Sequence, residues 1–259
     1  MSVNNIVLSL TTVPNRLYEY NGCSVAKTAL KTLLEQKYSP YSVHFNIPIS
    51  YQNKEIEIPA WISEYQLKYS HFHVFRTKDY GSITKILPTL YRIEDPETLI
   101  IIADDDLYYA DNLIQAHING RNKYPDSAIG FAGLGSLDGS CHFCTTLYKD
   151  TKVKILEGYK TVSYLRKFFD LNEFTNNFVG KSWRDDEILS AYMGYKNISK
   201  IVLSYEKDDD FTPRVESFPV LGHIPAEYGG CYEFRNNLDL QNISEQNIQL
   251  FYKLGYLDR

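Results

Sequence analysis

The stretch Thr98-Leu99-Ile100-Ile101-Ile102-Ala103-Asp104-Asp105-Asp106 decides the fold class. Its first six residues form the most apolar run in the chain and read as a central strand covered on both faces. Working outward, strand-like runs at 5–10 (NIVLSL), 42–47 (SVHFNI), 72–75 (FHVF) and 128–132 (AIGFA) alternate with helical patterns. Val25, Ala29, Leu30, Leu33 and Leu34 make one amphipathic stripe. Residues 59–69 open with a proline where a first helical turn accepts it, and helices are expected over 82–92 and 110–122. Such alternation predicts an α/β sandwich, αβα, with a mainly parallel central sheet. Farther along, the patterns predict a strand at 153–156, a short helix at 161–168, and helices at 184–195 and 243–254, the last with Ile243, Ile248, Phe251 and Tyr252 inward. No repeat or low-complexity linker interrupts the 259 residues, which read as a single domain.

Composition narrows the function classes. Apolar residues make up 44% and charged residues 23%, as in ordinary globular chains. The net charge of −5 argues against a nucleic-acid binder or a polybasic membrane-surface protein. No apolar run approaches ~18 residues, and the N-terminal residues carry no basic-then-apolar pattern, so a cytoplasmic protein is expected, without a signal or membrane segment. Four cysteines do not make a disulfide framework. Cys141 and Cys144 have metal-type spacing but lack a second pair and read as reduced thiols near a hairpin. The sequons at Asn197 and Asn242 read as chance matches. The 22 tyrosines suit sugar-ring stacking and an ordinary core equally well.

The chemistry concentrates at the end of the apolar strand. Three adjacent carboxylates there repel one another and are costly to desolvate without a cation. Open α/β sheets bind ligands at the carboxyl ends of their strands, where this triplet falls. Carboxylate oxygens suit Mg²⁺ or Mn²⁺, which can also bridge a diphosphate. A hydrophilic loop with helix-capping aspartates is the alternative. Asp208-Asp209-Asp210 lacks the strand placement and reads as a solvated loop. Lys85, one turn into a helix opened by Gly81-Ser82, can balance phosphate charge, although such a lysine is ordinarily a surface residue. Arg16 follows the first strand's loop on the same sheet edge. Asp185-Asp186-Glu187 opens a helix, as the helix dipole favours, and offers a general base; Trp183 just before it can stack on a sugar face.

Together these segments resemble glycosyltransferases of the GT-A type. Ser9-Leu10-Thr11-Thr12-Val13-Pro14-Asn15-Arg16-Leu17 is similar to the family's first strand and loop. Asp79-Tyr80-Gly81-Ser82-Ile83-Thr84-Lys85 resembles the D-Y-G-x-x-T-K stretch of one subgroup, many members of which have Pro-Ala where this chain has Ser82-Ile83. Asp104-Asp105-Asp106 resembles the D-x-D motif. Leu156-Glu157-Gly158-Tyr159 resembles an acceptor-side segment, and Arg184-Asp185-Asp186 the paired acids of inverting members.

The resemblance implies a nucleotide-diphosphate sugar donor, UDP-linked by preference, Mn²⁺ (or Mg²⁺), and transfer to a hydroxyl of an oligosaccharide or glycoprotein glycan with inversion. Residues 1–135 would form the nucleotide-sugar half and 136–259 the acceptor half. Asp106 would ligate the metal, Asp104 the metal or ribose, and Asp105 would support them. Thr11, Thr12, Arg16 and Asp79 would line the nucleoside pocket, with Lys85 on the diphosphate. Asp186 would be the catalytic base beside Asp185, and Glu157, Tyr159 and Trp183 would hold sugars. Two rivals are a haloacid-dehalogenase-type phosphatase or phosphotransferase and a non-catalytic carbohydrate-binding protein. The former wants Thr or Val where Tyr108 stands and a lysine after its acids; the latter is expected to lose carboxylates that this chain keeps.

Overall fold

The computed structural model describes residues 5–19, 22–39, 41–145, 149–182, 184–204, 220–224 and 238–258. The first part contains β1 (Ile6–Thr11), α1 (Pro14–Leu17), α2 (Val25–Leu34), β2 (Ser42–Pro48), β3 (Ser50–Tyr51), β4 (Lys54–Glu55), α3 (Ala60–Lys68) and β5 (Phe72–Thr77). A 3-10 turn at Ile83–Lys85 leads to α4 (Leu87–Arg92), β6 (Leu99–Ile102), β7 (Leu107–Tyr109), α5 (Leu113–Lys123), β8 (Ser127–Gly130), β9 (Gly133–Ser136) and β10 (Phe143–Cys144). Then come β11 (Thr151–Leu156), a 3-10 turn at Gly158–Lys160, β12 (Val162–Leu165), α6 (Leu171–Asn177), α7 (Asp185–Tyr195), β13 (Ser199–Val202), β14 (Val220–His223) and α8 (Leu238–Lys253).

Among the described residues, ten strands form one sheet in the order β10-β9-β11-β13-β8-β12-β6-β1-β2-β5. β5, β2, β1 and β6 pair in parallel, as do β8 and β13. β12 runs antiparallel to both its neighbours, β6 and β8, and β11 and β10 are likewise reversed. The mainly parallel αβα sandwich is therefore the fold observed. Leu99, Ile100, Ile101 and Ile102 of β6 are fully buried, as a strand covered on both faces must be. The α2 stripe is buried as its spacing predicts. In β2, Val43, Phe45 and Ile47 point to one buried face, while Asn46 on the other bonds Thr89 of α4 at 3.1 Å.

Two predicted elements are corrected. Residues 161–168 are not a helix: Val162–Leu165 is a strand whose backbone is used by ladders on both sides. Its four residues are all buried, so no alternation marks it as a strand. The helix predicted over 82–92 is broken into a 3-10 turn and α4, because Pro88 has no N–H to continue the first turn and instead sits at the start of a new helix.

Helix α7 packs on β11 and β13 and is buried along most of its length. Behind it lies much of the aromatic surplus: Tyr192 stacks on Phe169 at 5.5 Å, and Phe178 on Phe251 of α8 at 5.8 Å. Ile248, Phe251 and Tyr252 pack against the core as predicted, whereas the side chain of Ile243 lies outside the described residues. The Tyr256 carbonyl lies so close to α7 that a Cβ at Gly194 would be 1.5 Å from it. Buried Lys200 donates to that carbonyl at 3.3 Å and to Ser190 O at 3.2 Å. Cys141 and Cys144 are free thiols in the β9–β10 hairpin. No helix among the described residues is long and apolar enough to cross a membrane.

Candidate active site

The carboxyl end of β6 and the start of α7 bring their acids together at one end of the sheet. Directly after β6, the backbone of Asp104 is clamped by Tyr109: its N–H donates to the Tyr109 hydroxyl and its carbonyl accepts from it, both at 2.8 Å. Asp105 turns inward. It is buried, accepts from Thr12 Oγ1 at 2.5 Å and pairs with Arg16. Asp106 lies 3.0 Å from Arg16 Nη2. Burial opposes charge on the Arg16 guanidinium, but Asp105 and Asp106 hold it above the usual arginine range.

Lys85 closes the other side. Its Nζ lies 2.5 Å from Asp104 Oδ1 and 2.9 Å from Asp185 Oδ2. Contrary to the surface placement expected of a lone lysine, it is 6% exposed. Its backbone carbonyl accepts from Ser9 Oγ at 2.5 Å, and Asn46 and Thr89 complete the network fixing the 3-10 turn on β1 and β2. Burial alone disfavours its charge. The charges of Asp104, Asp185 and Asp186 reverse that and hold the ammonium well above the usual lysine range.

Asp185 and Asp186 open α7. The Asp185 N–H donates to Ser82 Oγ at 3.1 Å, so a side chain distant in sequence satisfies one of the free donors at this helix start. Asp186 Oδ1 accepts from the Gly158 N–H at 2.7 Å. A Cβ at Gly158 would lie 2.9 Å from that oxygen, so only glycine lets the backbone approach so closely. Burial, and then the neighbouring Asp185, raise the Asp186 carboxyl well above the usual carboxylate range. Glu157 is also raised by burial, and its Oε2 is buried without a hydrogen-bond partner. Burial, with Glu157 and Asp186 nearby, pushes the Tyr159 phenol up to about 12.

Thus Thr12, Arg16, Lys85, Asp104, Asp105, Asp106, Asp185 and Asp186 converge, with Glu157 and Tyr159 on the adjoining turn. Asp79 stands apart: half-exposed, it accepts from the Gly81 N–H at 2.8 Å in the turn before Lys85. Thr11 Oγ1 donates to Asn46 O at 2.7 Å and caps the end of β1. Trp183 and Asp208–Asp210 lie outside the described residues. Sequence reasoning missed the roles of Tyr109, Ser82 and Gly158. It also missed the approach of residues 220–224: β14 pairs with β7, and the Ile224 N–H donates to Asp106 O at 2.8 Å. Ser82 carried a faint signal, since it replaces a proline of the resembling sequences; Tyr109 carried none.

Among the described residues, Lys85 pairs with Asp104 and Asp185, and Arg16 with Asp105 and Asp106. Asp105 is committed to Thr12 and Arg16, while Asp104 and Asp106 are partly exposed. Among the described residues no three His, Cys, Asp or Glu side chains form an all-protein cage. Two carboxylates fit Mg²⁺ or Mn²⁺, which commonly take one or two and complete their shell with substrate phosphate and water.

No family model matches the chain. No curated protein matches it in sequence. Solved structures share its fold. The mannosyltransferase PcManGT from Pyrobaculum calidifontis, in complex with GDP-Man and Mn²⁺, is 11% identical with a TM-score of 0.50, over 77% of this chain and 54% of that one. S. aureus TarS 1–349 in complex with UDP is 11% identical with a TM-score of 0.51, over 76% and 57%. The 4-diphosphocytidyl-2C-methyl-D-erythritol synthase from Anaerococcus prevotii DSM 20548 is 13% identical with a TM-score of 0.51, over 82% and 91%. The chain spans little more than half the length of the first two. At these identities the likeness establishes the α/β fold.

Proposed function

We propose that this protein is a nucleotide-sugar glycosyltransferase of the GT-A type, with a UDP-linked donor favoured, acting with inversion on a hydroxyl of a glycan acceptor. The observation that carries the reading is Lys85, a buried cation between an acid from the proposed donor half, Asp104, and one from the proposed acceptor half, Asp185. The division into a donor half, 1–135, and an acceptor half, 136–259, belongs to the same proposal. The fold it shares with a mannosyltransferase in complex with GDP-Man and Mn²⁺ supports it.

Asp104 and Asp106 would hold Mn²⁺ or Mg²⁺. The ion would supply Lewis-acid stabilisation of the departing diphosphate. Lys85 and Arg16 offset negative charge at the same edge. Asp186 takes the proton of the acceptor hydroxyl as its oxygen attacks the anomeric carbon and the bond to the diphosphate breaks. Burial beside Asp185 raises the affinity of this carboxyl for a proton. Glu157 Oε2, a buried acceptor without a partner, offers a hydrogen bond to a sugar hydroxyl. On the same reading Thr11, Thr12 and Arg16 would line the nucleoside pocket, with Asp79 contributing from the turn before Lys85.

The test is incubation with UDP-sugars, Mn²⁺ and oligosaccharide acceptors, with the product's anomeric configuration read by NMR. Expected is transfer with inversion, lost by ~10²–10⁴ in Asp186→Asn while nucleotide affinity persists. Retention of configuration removes Asp186 as base. Hydrolysis of an aryl phosphate in place of transfer would favour the phosphatase, and donor binding without turnover a carbohydrate-binding protein.

A further inference from the structure

Among the described residues, Thr161 is the one non-glycine residue at this end of the sheet with a positive φ: φ is 66° and ψ 143°. That region is close to glycine-only, and a β-branched residue there is strained. Thr161 is also fully buried, so the surroundings must impose the conformation. Two features do so. Its Oγ1 is 2.8 Å from Nε2 of His117, a fully buried residue of α5. Its carbonyl lies where a Cβ at Gly130 would be 3.2 Å away, so the β8 glycine leaves room for the unusual peptide.

Among the described residues the contact with Thr161 is the one hydrogen bond of the His117 side chain. Its Nδ1 is buried without a hydrogen-bond partner, and its ring packs edge-on to Phe131 at 4.8 Å. Burial and nearby Arg121 hold the imidazole neutral, pushed down to about 3. The Thr161 contact is thus its polar anchor.

From Thr161 the hydrogen bonds run to the acids. The Thr161 N–H donates to Gly158 O at 2.8 Å and closes the 3-10 turn. The Gly158 N–H donates to Asp186 Oδ1 at 2.7 Å. Glu157, with its unpartnered Oε2, precedes Gly158. A helix of the first half is therefore linked, through one strained residue, to the carboxyl on α7.

We propose that His117 and Thr161 are positioning residues that hold the Gly158 turn, and through it Asp186, in the orientation needed for sugar transfer. Strain at Thr161 persists because the His117 bond over-determines it, and its release lets the turn relax away from Asp186. The inference rests on Asp186 being the base.

The experiment compares Thr161→Ser, which keeps the hydroxyl, with Thr161→Val, which keeps the shape and loses it, and His117→Gln with His117→Leu. Asp186→Asn is assayed alongside. Transfer kcat, donor KM and Mn²⁺–UDP affinity are measured on the full chain. Expected is a kcat loss of ~10–10²-fold in Thr161→Val and His117→Leu, with donor KM and UDP affinity near wild type, and recovery of most of kcat in Thr161→Ser and His117→Gln. Should His117→Leu fold poorly, the Ser and Val pair still isolates one oxygen. Wild-type kcat in Thr161→Val, or equal losses in Ser and Val, overturns the inference. If Asp186→Asn turns over normally, the base assignment falls and takes this inference with it. If Asp186→Asn is inactive and Thr161→Val is not, only this inference falls.

Discussion

Lys85 holds its ammonium 2.9 Å from Asp185 while also pairing with Asp104, so one buried cation joins the end of β6 to the start of α7. Removing it leaves two carboxylates facing each other with their shared partner gone. Lys85→Met is expected to cost about 3–5 kcal/mol, the range for breaking a buried pair from one side. Urea unfolding measures it. Added Mn²⁺ should recover part of the loss if the acids then hold the ion in the lysine's stead.

Asp106→Ala should leave the fold intact, because Arg16 keeps Asp105 as its partner. It should abolish the Mn²⁺-dependent part of UDP binding. Thermal shift with UDP, with and without Mn²⁺, reads this directly, since a ligand of the native state raises Tm. A wild-type response removes Asp106 from the metal set.

Gly158→Ala places a methyl 2.9 Å from Asp186 Oδ1, 3.4 Å from Ile102 Cδ1 and 3.5 Å from Asp185 Oδ2. The carboxyl must move or the turn must retreat. Transfer is expected to fall by ~10²-fold with nucleotide affinity unchanged. Isothermal titration with UDP beside the transfer assay separates the two quantities.

Lys200 gives the stability a pH dependence. Burial lowers its ammonium to about 8 from 10.5. Between those values the unfolded chain holds a proton that the folded chain has released, so this lysine's contribution to stability rises with pH. Below about 8 both states are charged and the contribution is at its minimum; above 10.5 the gain is complete, at about 3 kcal/mol. Chemical denaturation from pH 7 to 10.5 should show wild type gaining on Lys200→Met. A constant gap between the two would mean that Lys200 stays charged in the fold.

The parallel half was legible because its strands are apolar runs separated by periodic helices, and because three aspartates abut the most apolar of them. Residues 161–168 were not, since Val162, Leu165 and Phe168 fall at helical spacing while a strand buried on both faces shows no alternation. The position of the acids in sequence marked the site, but the contacts that arrange them did not follow from it. Ser82 caps a helix and Tyr109 clamps Asp104 only because the fold brings them there. The burial of Lys85 likewise depends on Ser9, Asn46 and Thr89, which local pattern does not connect to it.

The reversed direction of β12 has a bearing on which length changes the chain can absorb. Val162 is paired with Ile102 at the acidic edge, and Leu165 with Leu99 at the opposite one. Adding or deleting a residue between 157 and 161 would shift Thr161 and Gly158 against Asp186, or slip the strand by one and exchange its two faces. Residues inserted after Phe168 would leave that pairing untouched. Loop grafting on this face should therefore keep the 157–161 turn at its present length.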